Sequence, residues 1–309
     1  MGLEMVLGII VAFNPDIPEL LEGLISLVDQ IDSLIIIDNG SKLNVQIELE
    51  NSFKKSKFKN KFKKIEIIFQ RSEDNLGLGS AQNLGIQYGL ENKFDYFLFL
   101  DDDSQLQTGS IELMLQVLQT NKKVGIVSPN ILHEDSGKIQ KYWVKERIFY
   151  KRRNFINEPT FAQYDDVLTV ISSGSLIPSH IFKECGYLRE DFFIDYIDIE
   201  FCLRIQSFGY KICVLRDAKL KHKLGESKSI QIQKFAIYPS NHSPFRRYFM
   251  IRNRIWTWKI YSLVFPIWFT IDFGNFVFDN FRVFFFERNK LENLKFFLKG
   301  MWHGIKSKQ

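Results

Sequence analysis

The sequence predicts an α/β protein with a mostly parallel central sheet flanked by helices, followed by an aromatic, basic, helical C-terminal segment. Three observations lead there. Short apolar runs alternate with helix-period stretches through the first half of the chain, polar clusters stand at the ends of three of those runs, and the composition turns aromatic and basic after about residue 244. The 309 residues, 45% of them hydrophobic, suffice for one large domain or one domain with a substantial appendage.

Val6–Phe13 reads as a buried strand and Ile17–Gln30 as an amphipathic helix, followed by a second strand at Leu34–Asp38. The basic, polar segment Asn51–Lys64 separates these from a third run, Ile65–Gln70. The helix candidate Gly79–Glu91 then leads to the strongly apolar strand Tyr96–Leu100, and a further helix is expected over Thr108–Leu118. Past Val124, strands are expected at Gly125–Ser128, Val167–Ser172 and Lys211–Val214, with a carboxylate-rich segment opening a helix between the last two. The expected organisation is a catalytic domain over 1–243, in halves 1–123 and 124–243, and a helical segment over 244–309.

In open parallel sheets ligands sit beyond the carboxyl ends of the strands. Asn14-Pro15, Asp38-Asn39-Gly40-Ser41 and Asp101-Asp102-Asp103-Ser104 fall at those ends. Three consecutive carboxylates after Phe97-Leu98-Phe99-Leu100 need a counter-charge, and hard oxygen ligands suit Mg²⁺ or Mn²⁺, which could bridge a diphosphate. An acidic turn capping the next helix through its dipole is the competing reading. Asp38 could accept the imide N–H of uracil or thymine, or simply form the turn that Asp-Asn-Gly favours. The glycine-rich stretch from Asn75 through Gly77 and Gly79 to Gln82 and Asn83 opens a helix and suggests a backbone lying close to a ligand, yet it matches neither the phosphate-loop nor the dinucleotide spacing. In Phe193-Ile194-Asp195-Tyr196-Ile197-Asp198, acids recur between large apolar residues as a helix begins. Asp198 in its first turn could serve as a general base; Asp195 or Asp198 could equally be a helix cap, with Arg204 as an ion-pair partner. His222 could complete a metal site, or lie solvated between lysines.

Taken in this order, Ala12-Phe13-Asn14-Pro15, Ile37-Asp38-Asn39-Gly40-Ser41, Asn75-Leu76-Gly77, Ala81-Gln82-Asn83-Leu84-Gly85, Leu100-Asp101-Asp102-Asp103-Ser104, Ser173-Gly174-Ser175, Phe193–Asp198 and His222-Lys223-Leu224-Gly225 resemble the inverting glycosyltransferase family 2, and within it the bacterial rhamnosyltransferases, over about residues 5 to 255. The resemblance implies a GT-A fold, with Asp38 at the base, Asp101 near the ribose, Asp103 on the metal, Asp198 as catalytic base and His222 near the metal or diphosphate. Asn14, Asn75, Gly77, Gln82 and Asp102 join the expected nucleotide-sugar contacts. The sequence departs from the pattern twice: Ile197 stands where many members carry Glu, and Asp102 where the rhamnosyl subgroup commonly has Gln.

The implied donor is dTDP-L-rhamnose, with a UDP-sugar for a galactofuranosyl or other hexosyl transferase as the alternative. The implied acceptor is a saccharide or lipid-linked saccharide in O-antigen, capsule or related polysaccharide assembly. From Ile260 to Phe286 the chain is apolar, but Pro266, Asp272, Asn275, Asp279 and Arg282 interrupt any spanning helix. Aromatics mixed with Arg246, Arg247, Arg252, Arg254, Lys259 and Arg288 suit helices lying on an anionic leaflet, or a face that packs on the catalytic domain or forms a homo-oligomer. The start of the chain shows no secretory leader, and Cys185, Cys202 and Cys213 have neither zinc nor disulfide spacing, which suits the cytoplasm. The expected location is peripheral, on the inner face of a bacterial plasma membrane. The net charge of +5 fits an anionic nucleotide, a membrane surface or nucleic acid equally. A nucleotide- or nucleic-acid-binding module is the rival of another class, but it leaves the carboxylate clusters unexplained; a nucleotidyltransferase is the rival enzyme. No nucleic-acid partner is expected.

Overall fold

The structure, a computed structural model, describes residues 4–55, 59–133, 137–160, 162–222, 230–232, 235–237, 242–287 and 289–307. Strands β1 (Val6–Ala12), β2 (Ser33–Asn39) and β3 (Glu66–Ser72) are joined by α1 (Ile17–Leu27), α2 (Val45–Lys55) and the short α3 (Lys59–Phe62). Helix α4 (Leu78–Glu91) leads to β4 (Tyr96–Asp101), the short β5 (Gln105–Leu106), α5 (Ser110–Thr120) and β6 (Val124–His133). Then come β7 (Lys138–Ile139), a hairpin of β8 (Tyr142–Glu146) and β9 (Phe149–Arg153), β10 (Gln163–Tyr164), β11 (Leu176–Pro178), α6 (Ser179–Cys185) and α7 (Ile197–Ser207). The chain continues through β12 (Lys211–His222), a small hairpin of β13 (Ile230–Ile232) and β14 (Phe235–Ile237), and helices α8 (Pro244–Tyr261), α9 (Pro266–Phe286) and α10 (Lys290–Lys306).

The main sheet has the order β10-β12-β6-β11-β4-β1-β2-β3, with β5 and β7 attached at β12 and β6. Strands β3, β2, β1 and β4 are parallel, β11 is antiparallel to both of its neighbours, and β12 is parallel to β6. Side-chain alternation gives β1, β2 and β4 two buried faces. Leu7, Ile9, Ile35, Ile37, Phe97 and Phe99 enter one core layer, while Val6, Ile10, Leu34, Ile36, Leu98 and Leu100 enter the other.

One expectation changes here, and one segment without an assignment gains a structure. The polar segment 51–64 is partly helical, because α2 and α3 bring Phe53 and Phe62 into a ring stack at 4.2 Å. The apolar run 167–172 is not a strand: Val167 makes only an isolated bridge to Val144, since the slot between β4 and β6 is filled by β11. Val167, Leu168 and Val170 are buried as core loop instead.

The C-terminal helices close over one core layer. Trp256, Tyr261 and Trp268 join the buried cluster that contains Phe97 and Phe201. Helix α10 lies directly against α8. A Cβ on Gly300 would come within 2.9 Å of the Tyr248 carbonyl oxygen, and one on Gly304 within 2.9 Å of Ile255, so only glycine permits this approach.

The basic residues expected to face a membrane are engaged within the fold, although Lys259 is exposed. Arg246 pairs with Asp195, Arg247 with buried Glu287, and Arg254 with Asp272 and Asp279. Arg252 donates to the Asp191 and Phe192 carbonyls, and Lys259 to those of Ile305 and Ser307. Arg247 and Arg254 are the most buried of these, and burial demands that their charge be compensated within the fold. Arg288 lies outside the described residues. Among the described residues no helix is long and apolar enough to cross a membrane.

Candidate active site

Register brings the sequence clusters together. Ala12 is opposite Asp38 and Val11 opposite Asp101, so both aspartates emerge at the same edge of the sheet. At the far side β12 follows β6 to its end and also pairs with β5, placing Lys221 opposite Gln105 and His222 opposite His133. This long strand, of which only the first four residues were anticipated, carries His222 to the Asp101–Ser104 turn.

Asp101, Asp103 and His222 offer ligand atoms within 4.8 Å of one another and form a group that could hold a metal ion. His222 Nδ1 is 3.4 Å from Asp103 Oδ1 and 2.8 Å from Ser104 Oγ. Ser173 Oγ donates to Ser104 Oγ (3.1 Å) and accepts from the Asp101 N–H (3.0 Å). Burial raises the Asp101 carboxyl above its usual range against the pull of His222. Asp103 is also partly desolvated, but its hydrogen bond to His222 and the His222 charge leave it below that range. Asp102 accepts the Phe13 N–H, and burial with two carboxylate neighbours pushes it up to about 7. Residues 223–225, part of the His222 motif, lie outside the described residues.

Asp198 sits in the first turn of α7, as expected, but does not cap it. The N-cap position is Tyr196 in left-handed conformation, without a side-chain cap. Asp198 accepts the Ile199 N–H at 2.8 Å, and burial raises its carboxyl to about 6, with Asp195 and Asp101 adding to the rise. Arg204 pairs with Glu200 rather than with either aspartate.

The approach to Asp198 is strained. Phe193, Asp195 and Tyr196 all have positive φ, at 63°, 63° and 68°, costing of order 1–3 kcal/mol each. Fully buried Asn253 of α8 holds them, its amide donating to the carbonyls of Phe192, Ile194 and Asp195 at 2.8, 2.9 and 3.0 Å. Arg246 adds a two-pronged pair to Asp195 at 2.8 and 2.9 Å. Gly77, at φ 87°, lies against this loop: a Cβ there would meet Phe193 at 2.7 Å, and the Leu78 N–H donates to the Phe193 carbonyl. What the glycine-rich stretch approaches at this point is the protein's own backbone.

A cavity of about 630 Å³ runs through this region, lined by Leu78, Gln82, Asp101, Asp198 and His222 and, from the C-terminal helices, by Arg246, Arg254, Asp272, Asn275 and Asp279. Gln82 is buried, donates to Ser172 Oγ at 3.4 Å, and its Oε1 has no partner. Asn14, Asp38, Asn75, Gly77, Asp102 and Asp103 are not among the lining residues. Asp38 is buried, accepts the Ser41 and Val45 N–H groups and is 3.4 Å from Arg71 Nε, the turn-forming alternative for this residue. Asn14 joins the same turn, accepting the Lys42 N–H and donating its own N–H to Ser41. Asn75 accepts from Asn39 Nδ2 and from the Gly77 N–H. The sequence reading missed Asn253, Arg246 and the polar face of α9. That face was visible as Asp272, Asn275, Asp279 and Arg282 recurring every three or four residues among phenylalanines.

A largely parallel sheet that delivers a metal-competent carboxylate–histidine group and a second buried carboxylate to one cavity defines a GT-A glycosyltransferase. The model for glycosyl transferase family 2 matches residues 9–186, and the chain belongs to that family. It is 28% identical over 253 residues to the dTDP-rhamnosyl transferase RfbF of Shigella flexneri, covering 80% of this chain and 77% of that protein. It is 22% identical over 214 residues to the low-salt glycan biosynthesis hexosyltransferase Agl10 of Haloferax volcanii, covering 68% and 65%. Among solved structures, GalNAc-T7 with UDP, GalNAc and Mn²⁺ superposes with a TM-score of 0.61 at 14% identity, over 87% of this chain and half of that one. TarS 1-349 of S. aureus with UDP-GlcNAc gives 0.57 at 13% identity, over 98% and 81%. At these identities the structural likeness speaks for the fold.

Replacing Asn253 by Ala removes three hydrogen bonds to a strained loop. The expected outcome is a stability loss of about 2–3 kcal/mol in urea unfolding, together with at least a tenfold fall in turnover and an unaltered affinity for nucleotide. Unchanged stability and turnover would show that the loop holds its own conformation.

Proposed function

We propose that this protein is an inverting glycosyltransferase that moves L-rhamnose from dTDP-L-rhamnose to a saccharide or lipid-linked saccharide in the assembly of a bacterial surface polysaccharide such as O-antigen or capsule. The observation that carries the chemistry is that Asp198 lines the same cavity as Asp101 and His222. The rhamnosyl assignment is supported by the similarity to RfbF. A UDP-hexose donor is the second reading, favoured by the hexosyltransferase Agl10 and the UDP-bound structures.

In this reading Asp38, Asn14 and the Asn39–Asn75 contact frame the nucleotide end, Asp38 keeping acceptor capacity for the base imide. Asp101 and Asp102 lie toward the ribose and diphosphate, and Gln82 Oε1 accepts a hydroxyl of the sugar. Asp103 and His222, with Asp101 beside them, would hold Mn²⁺ or Mg²⁺, which supplies positive charge for the departing diphosphate; an imidazole in the ligand set favours the transition ion. Asp198 in its ionised form takes the proton of the acceptor hydroxyl as that oxygen bonds to the anomeric carbon. The bond from carbon to the diphosphate oxygen breaks on the opposite face, the nucleoside diphosphate leaves with the electron pair, and the new glycoside has inverted configuration.

In the same reading 1–123 serve the nucleotide-sugar and 124–243 the acceptor, while 244–309 close the acceptor side of the cavity and reach the membrane. Helix α10 exposes Leu291, Leu294, Leu298, Trp302 and Ile305, spaced along one face, and carries Lys290, Lys295, Lys299 and Lys306 against Glu292 alone. Lysines flanking an apolar stripe suit the inner leaflet of an anionic membrane and would repel across a two-fold dimer made by the same face.

Calorimetry with dTDP, UDP, GDP and ATP tests the donor. Tight binding of dTDP in Mn²⁺, weakened at least tenfold by Asp103→Ala, is expected; a preference for UDP moves the assignment to a hexosyl donor, and metal-independent binding sinks the metal site. Asp198→Asn should keep dTDP affinity and lose 10²- to 10⁴-fold in turnover. Because the raised carboxyl must be ionised to act, wild-type turnover should fall as pH drops through about 6 or below, bound cation drawing that limb downward; near-normal turnover of the variant would remove Asp198 from the base role. Vesicles with anionic lipid should sediment the protein, and Trp302→Glu with Leu298→Glu should abolish this, while equal sedimentation of variant and wild type would exclude α10 as the contact.

A further inference from the structure

The cavity extends past Asp198 to a wall built from the C-terminal helices. Helix α9 is amphipathic in the reverse of the usual sense. Asp272, Asn275 and Asp279, at i, i+3 and i+7, share the face that lines the cavity, whereas Phe273, Val277, Phe278, Phe281 and Phe285 are exposed. Asp272 is fully engaged, accepting from Tyr196 Oη (2.9 Å), Trp258 Nε1 (2.7 Å) and Arg254 (3.2 Å). Asp279 is a third exposed, with Arg254 at 3.5 Å and Arg282 at 3.3 Å. Asn275, one turn from each, is exposed to the cavity and makes no hydrogen bond among the described residues. Within the same cavity the buried Gln82 Oε1, also unpartnered, is left to the donor sugar, so Asn275 is the amide available to a second ligand.

Charge narrows the class of that ligand. The lining holds five carboxylates (Asp101, Asp195, Asp198, Asp272, Asp279) and two guanidinium groups (Arg246, Arg254), three more negative than positive charges, and both arginines are already paired. A cation near Asp101 would serve the donor's diphosphate, and at the α9 end Arg254 and Arg282 are both committed to Asp272 and Asp279. An anionic group placed there meets repulsion without a free partner, whereas sugar hydroxyls can donate to Asp279 and accept from the Asn275 amide.

Resting on the glycosyl-transfer reading, we propose that the wall formed by α8 and α9 is the acceptor subsite, that it takes an uncharged sugar residue rather than a uronic acid or phosphate, and that Asn275 and Asp279 set its specificity. The test uses the full chain with Mn²⁺ and dTDP present and a panel of neutral methyl glycosides with their matched uronides, read by saturation-transfer NMR titration. At least one neutral glycoside should bind, at least tenfold better than its uronide, and Asn275→Leu should weaken it tenfold or more with dTDP affinity unchanged. Asn275 is exposed on its helix, so the variant folds, and Asp279→Asn provides a second variant expected to weaken the same glycoside. Failure of all neutral glycosides to bind, equal binding of uronides, or equal binding by Asn275→Leu would each overturn the proposal. Absence of Mn²⁺-dependent dTDP binding in the same samples would instead overturn the donor reading.

Discussion

Asn253 holds the loop that places Asp198. Three residues with left-handed backbone in a stretch of four, none of them glycine, would relax without an outside restraint. The restraint comes from a helix more than fifty residues later in the chain, through one amide and three carbonyls. Because α10 in turn packs on α8 through Gly300 and Gly304, the position of the candidate base depends on all three C-terminal helices. They belong to the catalytic geometry as much as the sheet does.

The electrostatics follow the same logic. Asp101, Asp102 and Asp198 are held where burial raises their carboxyls, while Asp103 is kept below its usual range by His222. A group with one easily ionised ligand beside reluctant ones is receptive to a cation, since the positive charge stabilises the ionised forms that burial opposes. The arginines of α8 are not part of that supply. They neutralise Asp195, Glu287 and Asp272, and so fix helices rather than attract a phosphate.

Much of the sheet could be read from the sequence because buried parallel strands appear as continuous apolar runs, as at Leu34–Ile37 and Phe97–Leu100. Their ends named Asp38 and Asp101, and register then brought His222 to the same cluster. The run at 167–172 misled for the same reason: a buried loop carries as much valine and isoleucine as a strand, and periodicity cannot tell them apart. The arginines of α8 misled because composition gives charge without direction. Asn253 was invisible, since one asparagine among aromatics has no periodic signature and its partners are backbone carbonyls far away in sequence.

The dependence of the Asp198 loop on α8 bears on how the chain acquires its activity during synthesis. Until α8 and α9 have been made, the clamp on residues 192–195 is missing, and so are Trp256, Tyr261 and Trp268 of the core. Completion of one core layer and of the Asp198 loop therefore draws on the same late segment, and neither is complete on a nascent chain before α8 follows.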